Sequence, residues 1–558
     1  MKKKEYILLM EKALSAYSEE HIRQYFATVK QNGLSEHGFP RLTANLGILI
    51  CHGIRTDLLT LFCEMMDFCC KTVPTVKAAN DFSVKELIFC ILELENAQIL
   101  EPDAIECWKN CLASIHPEAC YNQYAKTPEE HLFNWVLFTA VSEYMRQYLG
   151  LCNSSEFIDI QISTQLRHLD ENGMYMDADI HPPMVYDLVS RGLFCLLLHF
   201  GYHGTYAAQM DSCLKKAGLL TLQMQSVSGE IPYGGRSNQF LFNEALFAIV
   251  CEYEANRYER EGNLTLANCF KAAITRALRV TAAYLNQSPI RHIKNRFSVK
   301  TQYGCEEYAY FDKYMITTAS YLYAAYLLCN DTVSDAEASN TSTAIFCSSS
   351  HFHKIFLKSG EYALEFDTDA DPHYDASGLG RVHRKGAPSA ICLSVPCPST
   401  ANYIIDLPNP PALSLCPGVL QDGVWQFATG ADTKYELLSA TQTENYASMQ
   451  LSCRFSDGQC VTATYTVDQT GVKIEVCGDG TISFALPALC FDGETSPQIA
   501  QSENHLAVAL DHWVCQYTTD GAIRDSGAVS CNRNGHYRAF FATANQKLNV
   551  HIEIFSDD

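Results

Sequence analysis

Acids, a phenol, amides and a guanidinium crowd into one stretch, Ser228-Gly-Glu-Ile-Pro-Tyr-Gly-Gly-Arg-Ser-Asn-Gln-Phe-Leu-Phe-Asn-Glu244. Glu230 and Glu244 can carry protons, Tyr233 is a phenol, Arg236 can grip a carboxylate, and Asn238, Gln239 and Asn243 supply amides. Pro232, Gly234 and Gly235 make the first half a bend rather than a helix. A structural bend needs the glycines but not so many donors and acceptors, so the stretch reads as a binding loop. Glu244 shares an apolar stripe with Phe240, Phe247 and Cys251, which leaves it either desolvated with a raised pKa or paired.

Three other clusters carry comparable chemistry. In Tyr175-Met-Asp-Ala-Asp-Ile-His-Pro-Pro-Met-Val-Tyr-Asp187, Asp177, Asp179 and His181 alternate along an extended run. They form a weak metal-ligand pattern, and Asp187 suits either a helix N-terminus or an acid at a site. Arg291-His-Ile-Lys-Asn-Arg296, followed by Tyr303-Gly-Cys-Glu-Glu-Tyr-Ala-Tyr-Phe-Asp-Lys-Tyr314, concentrates cations and then places Glu307 and Lys313 among aromatic rings. In 367–385, aspartates precede His383 and Arg384; an EF-hand is excluded because Pro372 and Gly378 occupy positions that need glycine and glutamate.

The elements that must position these residues change character once. Up to about residue 328 the apolar spacing is helical, in about twelve segments, the first read as 5–28 and the tenth as 238–260. The long connections are 169–183, 226–237 and 287–305. Twelve antiparallel helices with short turns predict an (α/α)6 toroid over 1–330, with its long loops gathered at one mouth. Residues 331–342 have linker composition, and 343–558 alternate with period two, as in Thr462–Val467, Val472–Val476 and Leu548–Ile554. The expectation is an α+β multidomain chain, a helical toroid followed by an antiparallel β-sandwich.

Composition narrows the function. The net charge of −22 argues against nucleic acid as a partner, and any anionic ligand must be held by a local basic cluster. No run is apolar enough to span a bilayer, and the 25 cysteines include no Cys-x-x-Cys pair, so neither a membrane nor a structural zinc site is expected. The N-terminus reads as an amphipathic helix rather than a signal peptide, which predicts a cytoplasmic protein. Nucleotide, phosphate-loop, zinc-protease and α/β-hydrolase motifs are missing from the sequence, and no cofactor is expected.

What remains is acid, amide and aromatic chemistry suited to an acidic oligosaccharide or glycoside; self-association is left open. A hydrolase needs two carboxylates. Glu230 and Glu307 are the candidate pair, Tyr233 assists, and Asp187 and Glu244 complete the acidic pool. Arg236, Arg296 and Lys313 would hold the substrate carboxylate and Asn238 and Gln239 the ring hydroxyls, with His181, His203, His383 and Arg384 as further contacts. A lyase instead needs the uronate carboxylate neutralised, by Arg236, Asn238 and Gln239, and a base such as Tyr233 or His203. A carbohydrate-binding protein without activity is the third reading.

Glu230-Ile-Pro-Tyr-Gly-Gly-Arg-Ser-Asn-Gln-Phe-Leu241, Met184-Val-Tyr-Asp187, Tyr303-Gly-Cys-Glu-Glu-Tyr308 and Gly380-Arg-Val-His-Arg-Lys-Gly-Ala-Pro-Ser389 together resemble glycoside hydrolase family 154. The resemblance implies a β-glucuronidase-like enzyme with a helical toroid. The layout is also similar to that of heparinase II/III-type polysaccharide lyases, which implies β-elimination at uronosyl linkages. Hydrolysis is the favoured expectation, because acids occur in every long loop and the family resemblance agrees.

Overall fold

The computed structural model describes residues 1–335, 343–430 and 432–557. Fourteen helices lie between Lys3 and Leu328, and fifteen strands between Ala344 and Ser556, among the described residues. Of the linker expected at 331–342, residues 336–342 lie outside the described residues.

Six helices form an inner ring: Gly38–Cys51, Val84–Ala97, Trp135–Tyr148, Met184–His199, Phe242–Arg260 and Phe311–Leu328. Each packs on the next, and the last closes against the first. Six outer helices, from Glu19–Asn32 to Leu264–Leu285, each precede an inner one in the chain. Sequence patterning separates the two sets. Glu19–Asn32 buries only Ile22, Phe26 and Val29, a single stripe, whereas every residue from Phe242 to Ala255 is buried. Because outer and inner helices alternate, all six inner helices run the same way and present their N-termini to one mouth. The long loops lie at that mouth, and the helix dipoles there favour negative charge.

Helix starts differ from the sequence expectation in two informative places. The segment 5–28 is two helices, Lys3–Leu14 and Glu19–Asn32, because Ser18 caps the second by accepting a hydrogen bond from the His21 N–H. The helix expected from 238 begins at Phe242. Ser237 and Gln239 hold left-handed φ values of 58° and 69°, and Asn243 Oδ1 accepts from the Phe240 N–H, so 237–241 remain loop.

In the β-domain, a four-stranded sheet (Ala344–Cys347, Lys354–Ser359, Tyr362–Asp367, Gly378–Arg384) packs on an eleven-stranded antiparallel one. Two 21-residue strands, Gly471–Phe491 and His536–Ser556, pair along most of their length at the centre of the larger sheet. Phe366 of the small sheet seats against Tyr435 and Tyr465 of the large one. All six residues of Tyr362–Asp367 are buried, since one face meets the large sheet and the other the toroid loops. A strand enclosed on both faces loses the alternation that a half-exposed one shows. Among the described residues no helix is long and apolar enough to cross a membrane.

Candidate functional site

The loop 228–244 passes through two environments. Its first half is enclosed in the joint between toroid and β-domain. Glu230 is buried, with Lys294 Nζ at 3.3 Å and Arg381 Nη2 at 3.9 Å, and the same lysine lies 2.7 Å from buried Glu244. Burial pushes the Glu230 carboxyl up, but Lys294, His383 and Arg381 outweigh it and hold the group well below the usual carboxylate range. Glu244 shifts the other way, raised by burial and by Glu230 despite Lys294. A buried carboxylate held in its ionised form by two cations suits a structural ion pair rather than the acid of a hydrolase.

Tyr233 is fully buried, with Lys354 Nζ 3.3 Å from its ring centroid, and its hydroxyl has no hydrogen-bond partner among the described residues. A Cβ on Gly380 would lie 2.2 Å from that hydroxyl, so the glycine makes the space that the phenol fills. His383 Nδ1 is 2.8 Å from Ser226 Oγ and 3.0 Å from Ser228 Oγ, while Nε2 meets Ser394 Oγ at 3.1 Å. Burial and Arg381 lower its pKa to about 3, against the pull of Glu230. Asn238 is buried and donates to the Pro232 carbonyl; Gln239, also buried, donates to Asn238 and accepts from Asn534. These side chains, expected to contact substrate or carry catalysis, join the two halves of the molecule.

The second half of the loop reaches an open cavity of about 170 Å³ at the toroid mouth. Its wall draws residues from the start of every inner helix, including His37, Arg41, Phe82, Asn134, Trp135, Tyr186, Phe242, Tyr308, Lys313 and Tyr314. The volume is below the roughly 300–1,000 Å³ of pockets for drug-sized ligands, so it suits a single ring. Ser237 organises one side. Its Oγ lies 3.0 Å from Tyr186 OH, 3.2 Å from Tyr308 OH and 3.1 Å from Tyr314 OH. Its N–H donates to Glu306 Oε1 (2.6 Å), and Glu306 is in turn paired with buried Arg533 of the β-domain. The left-handed backbone at Ser237 is thus held from both domains. Arg236 lies over the Tyr186 ring at 4.7 Å and pairs with Asp177, whose pKa burial raises to about 6 against the pull of Arg236.

The opposite wall is cationic. Arg41 is held by Glu86 at 3.0 Å and donates to Thr317, yet among the described residues its Nη2 has no partner, and neither has Asn134 Nδ2. Burial first, then Arg41, Lys313 and Lys85, push His37 well below its ordinary value, so this imidazole is neutral. Arg41 Nη1 approaches His37 Nδ1 only to 3.5 Å, the outer limit of a hydrogen bond. One carboxylate lines the cavity: Glu36, which accepts from Tyr25 OH at 2.7 Å.

The remaining expected residues scatter. Asp187 is buried, paired with Arg191, and accepts from the Tyr175 N–H, so it braces a loop and is not an acid at the mouth. Glu307 is exposed, and no ion pair engages it among the described residues. Arg296 pairs with Asp492 across the joint. Arg384 pairs with Glu361 and the Ile554 carbonyl, within the β-domain. His203 follows the C-terminus of Met184–His199. At 1.5 Å per residue that 16-residue helix separates it from the mouth by about 24 Å, which removes it as a substrate contact or base. Of the extended run, Asp177 engages Arg236, Asp179 engages His131 and His181 engages Asp369, so the first two and His181 do not share a ligand. Of the expected residues, Lys313 lines the cavity and Arg236 stacks on Tyr186 of its wall. His37, Arg41 and Asn134 escaped sequence reading; their shared signal is a polar residue within a turn of an inner-helix start.

No protein-family model matches the chain, and no curated protein sequence matches it. Among solved structures it is similar to a heparinase III gene product, at 10% identity and a TM-score of 0.50 over 91% of this chain and 77% of that one. A heparan sulfate lyase mutant from Pedobacter heparinus aligns at 9% identity and a TM-score of 0.48, over 93% of this chain and 76% of that one. At 10% identity the likeness to the heparinase III gene product is one of fold.

Proposed function

We propose that the protein is a lyase that cleaves uronosyl linkages of acidic glycans by β-elimination in the toroid-mouth cavity. The observation that carries this reading is the make-up of the cavity wall, with a neutral imidazole, phenols and unpartnered cationic and amide donors around one carboxylate. Hydrolysis requires two carboxylates flanking the bond. The pair first expected for it, Glu230 and Glu307, is divided between a buried joint and an exposed loop position. That the fold is shared with a protein named a heparinase agrees with the elimination reading.

In this mechanism the uronate carboxylate is held by Arg41, Asn134 and Lys313, with the dipoles of the six inner helices adding favourable potential. Neutralising that carboxylate acidifies the C5–H. His37 takes the C5 proton, and an anionic substrate beside it reverses the cationic bias that otherwise disfavours imidazolium. As the C4–O bond breaks, the Tyr308 phenol, about two-fifths exposed, donates its proton to the leaving oxygen. The phenol and imidazole then reset by exchange with solvent, and the product carries a C4–C5 double bond. Tyr186, Phe242 and Trp135 offer ring faces for stacking on the sugar.

The deciding experiment is incubation with a panel of uronic-acid oligosaccharides, followed by ultraviolet absorbance and product analysis. A conjugated C4–C5 double bond is the expected result. Free uronic acid without it would establish hydrolysis, and binding without any product would establish a carbohydrate-binding protein.

A further inference from the structure

We propose that Lys85 is a positioning residue for the substrate: acting through Glu86, it leaves Arg41 with surplus positive charge at the floor of the mouth cavity, and the uronate carboxylate is the counter-ion that this cluster takes up. The substrate class is that of the elimination reading, on which this inference rests. Lys85 and Glu86 lie in the first turn of the inner helix Val84–Ala97, and both are buried. Lys85 Nζ is 3.0 Å from Glu86 Oε1, the oxygen that also meets Arg41 Nε at 3.0 Å, while Ser320 Oγ donates to Glu86 Oε2 at 2.6 Å. One carboxylate is thereby shared between two cations. Glu36 on the cavity wall also bears on Arg41, and on Lys313. Three cations thus face two carboxylates, and one positive charge is left over.

The surroundings keep solvent from balancing that charge at Lys85. A void of about 10 Å³ beside Lys85 and Glu86 shares Val189 and Tyr321 with the mouth cavity, and it has room for no more than one water. The charged and titratable groups that bear on Lys85 or line this void are Glu86 on its own helix, Arg41 and His37 from the neighbouring inner helix and its start, and Tyr321 across the axis. Trp135–Tyr148 presents the Phe138 ring, 5.2 Å from the ammonium, and the walls from Met184–His199 and Phe242–Arg260 are apolar. The ammonium also donates to the Phe82 carbonyl at 2.7 Å. Burial lowers its pKa to about 8, with Glu86 opposing the shift and Arg41 adding to it. A carboxylate seated on Arg41 favours the ammonium and raises that value, so binding above neutral pH takes up a proton. Loss of the proton instead leaves Glu86 to neutralise Arg41 alone, and the floor loses its surplus charge.

The test uses the full chain and free glucuronate, a single ring with one carboxylate and no linkage to cleave. Calorimetry in buffers of different ionisation enthalpy should show uptake of up to about one proton per glucuronate at roughly pH 8–9, with affinity falling by as much as about tenfold per pH unit above that range. These signatures are read on the parent chain and need no variant. Lys85→Met, which leaves Glu86 paired with Arg41, should weaken binding at neutral pH by about tenfold or more and remove both signatures. With the push of Lys85 on His37 gone, the acid limb of kcat/KM should also move upward, a shift that a merely structural role would not cause. Glucuronate binding that exchanges no proton, or proton uptake that persists in Lys85→Met, would overturn the role of Lys85 even where oligosaccharides yield the conjugated double bond. Proton-linked binding without that product would overturn the elimination reading and leave the Lys85 cluster standing. No glucuronate binding at any pH would overturn both.

Discussion

The interdomain joint and the mouth cavity are built from the same kinds of residue, and a single loop supplies both. In the joint, Glu230, Tyr233, His383 and Lys294 are sealed between sheet and helices, and each cation has its acid. In the cavity, His37, Tyr308, Arg41 and Asn134 line open space. Residue type does not separate chemistry from architecture here. Solvent access does.

Variants can break or sharpen this contrast. The largest expected effect is on turnover: Tyr308→Phe and His37→Gln each lower kcat by about 10²–10⁴-fold, the range for loss of a general acid or base, with little change in melting temperature. Both are read by the ultraviolet assay beside a thermal melt, and unaltered kcat in both would remove the cavity as the reaction site.

Lys294→Met strands Glu230 and Glu244 without their shared cation. Breaking a buried pair costs about 3–5 kcal/mol, so denaturant unfolding should show a large stability loss, with near-normal activity per folded molecule. A fully stable but inactive variant would relocate the chemistry to the joint.

Lys313→Gln should act mainly on substrate affinity. Losing one charge-assisted contact of about 1.5–3 kcal/mol raises KM roughly 10–100-fold, and steady-state kinetics on one oligosaccharide measures it.

The smallest effect concerns pH. The folded pKa of His383 is depressed to about 3 from an ordinary 6.5, so its stabilising contribution is full above pH 6.5 and declines as the pH falls toward 3. His383→Gln should therefore flatten the acid limb of the stability profile relative to the parent chain, as followed by melting temperature across that range.

Much of the fold was legible because burial leaves periodic marks. The single stripe of Glu19–Asn32 and the mostly apolar, wholly buried run Phe242–Ala255 differ as outer and inner helices must, and strands such as Cys460–Asp468 alternate as half-buried strands do. The missed break at Ser18 and the late start at Phe242 depend on a single capping contact and on two left-handed residues, signals too short to alter a period. The site was legible only in part. The loop 228–244 was recognisable as unusual, and Arg236 and Lys313 do stand beside the cavity. His37 and Asn134 went unseen, since nothing local distinguishes a polar residue before a helix that faces a cavity from one that faces solvent.

The sequence by itself determined the order of helices then strands, the absence of nucleotide and zinc-protease motifs, and the supply of acids, phenols and cations. These follow from local spacing and composition. Only the tertiary structure decided which of those groups are spent. Ring closure brings six helix N-termini, far apart in the chain, to one mouth, while the β-domain covers half of the most polar loop. A carboxylate beside a lysine in the dry joint becomes a structural anion, and a buried histidine beside cations at the cavity is held neutral; the difference is set by neighbours that no stretch of sequence contains.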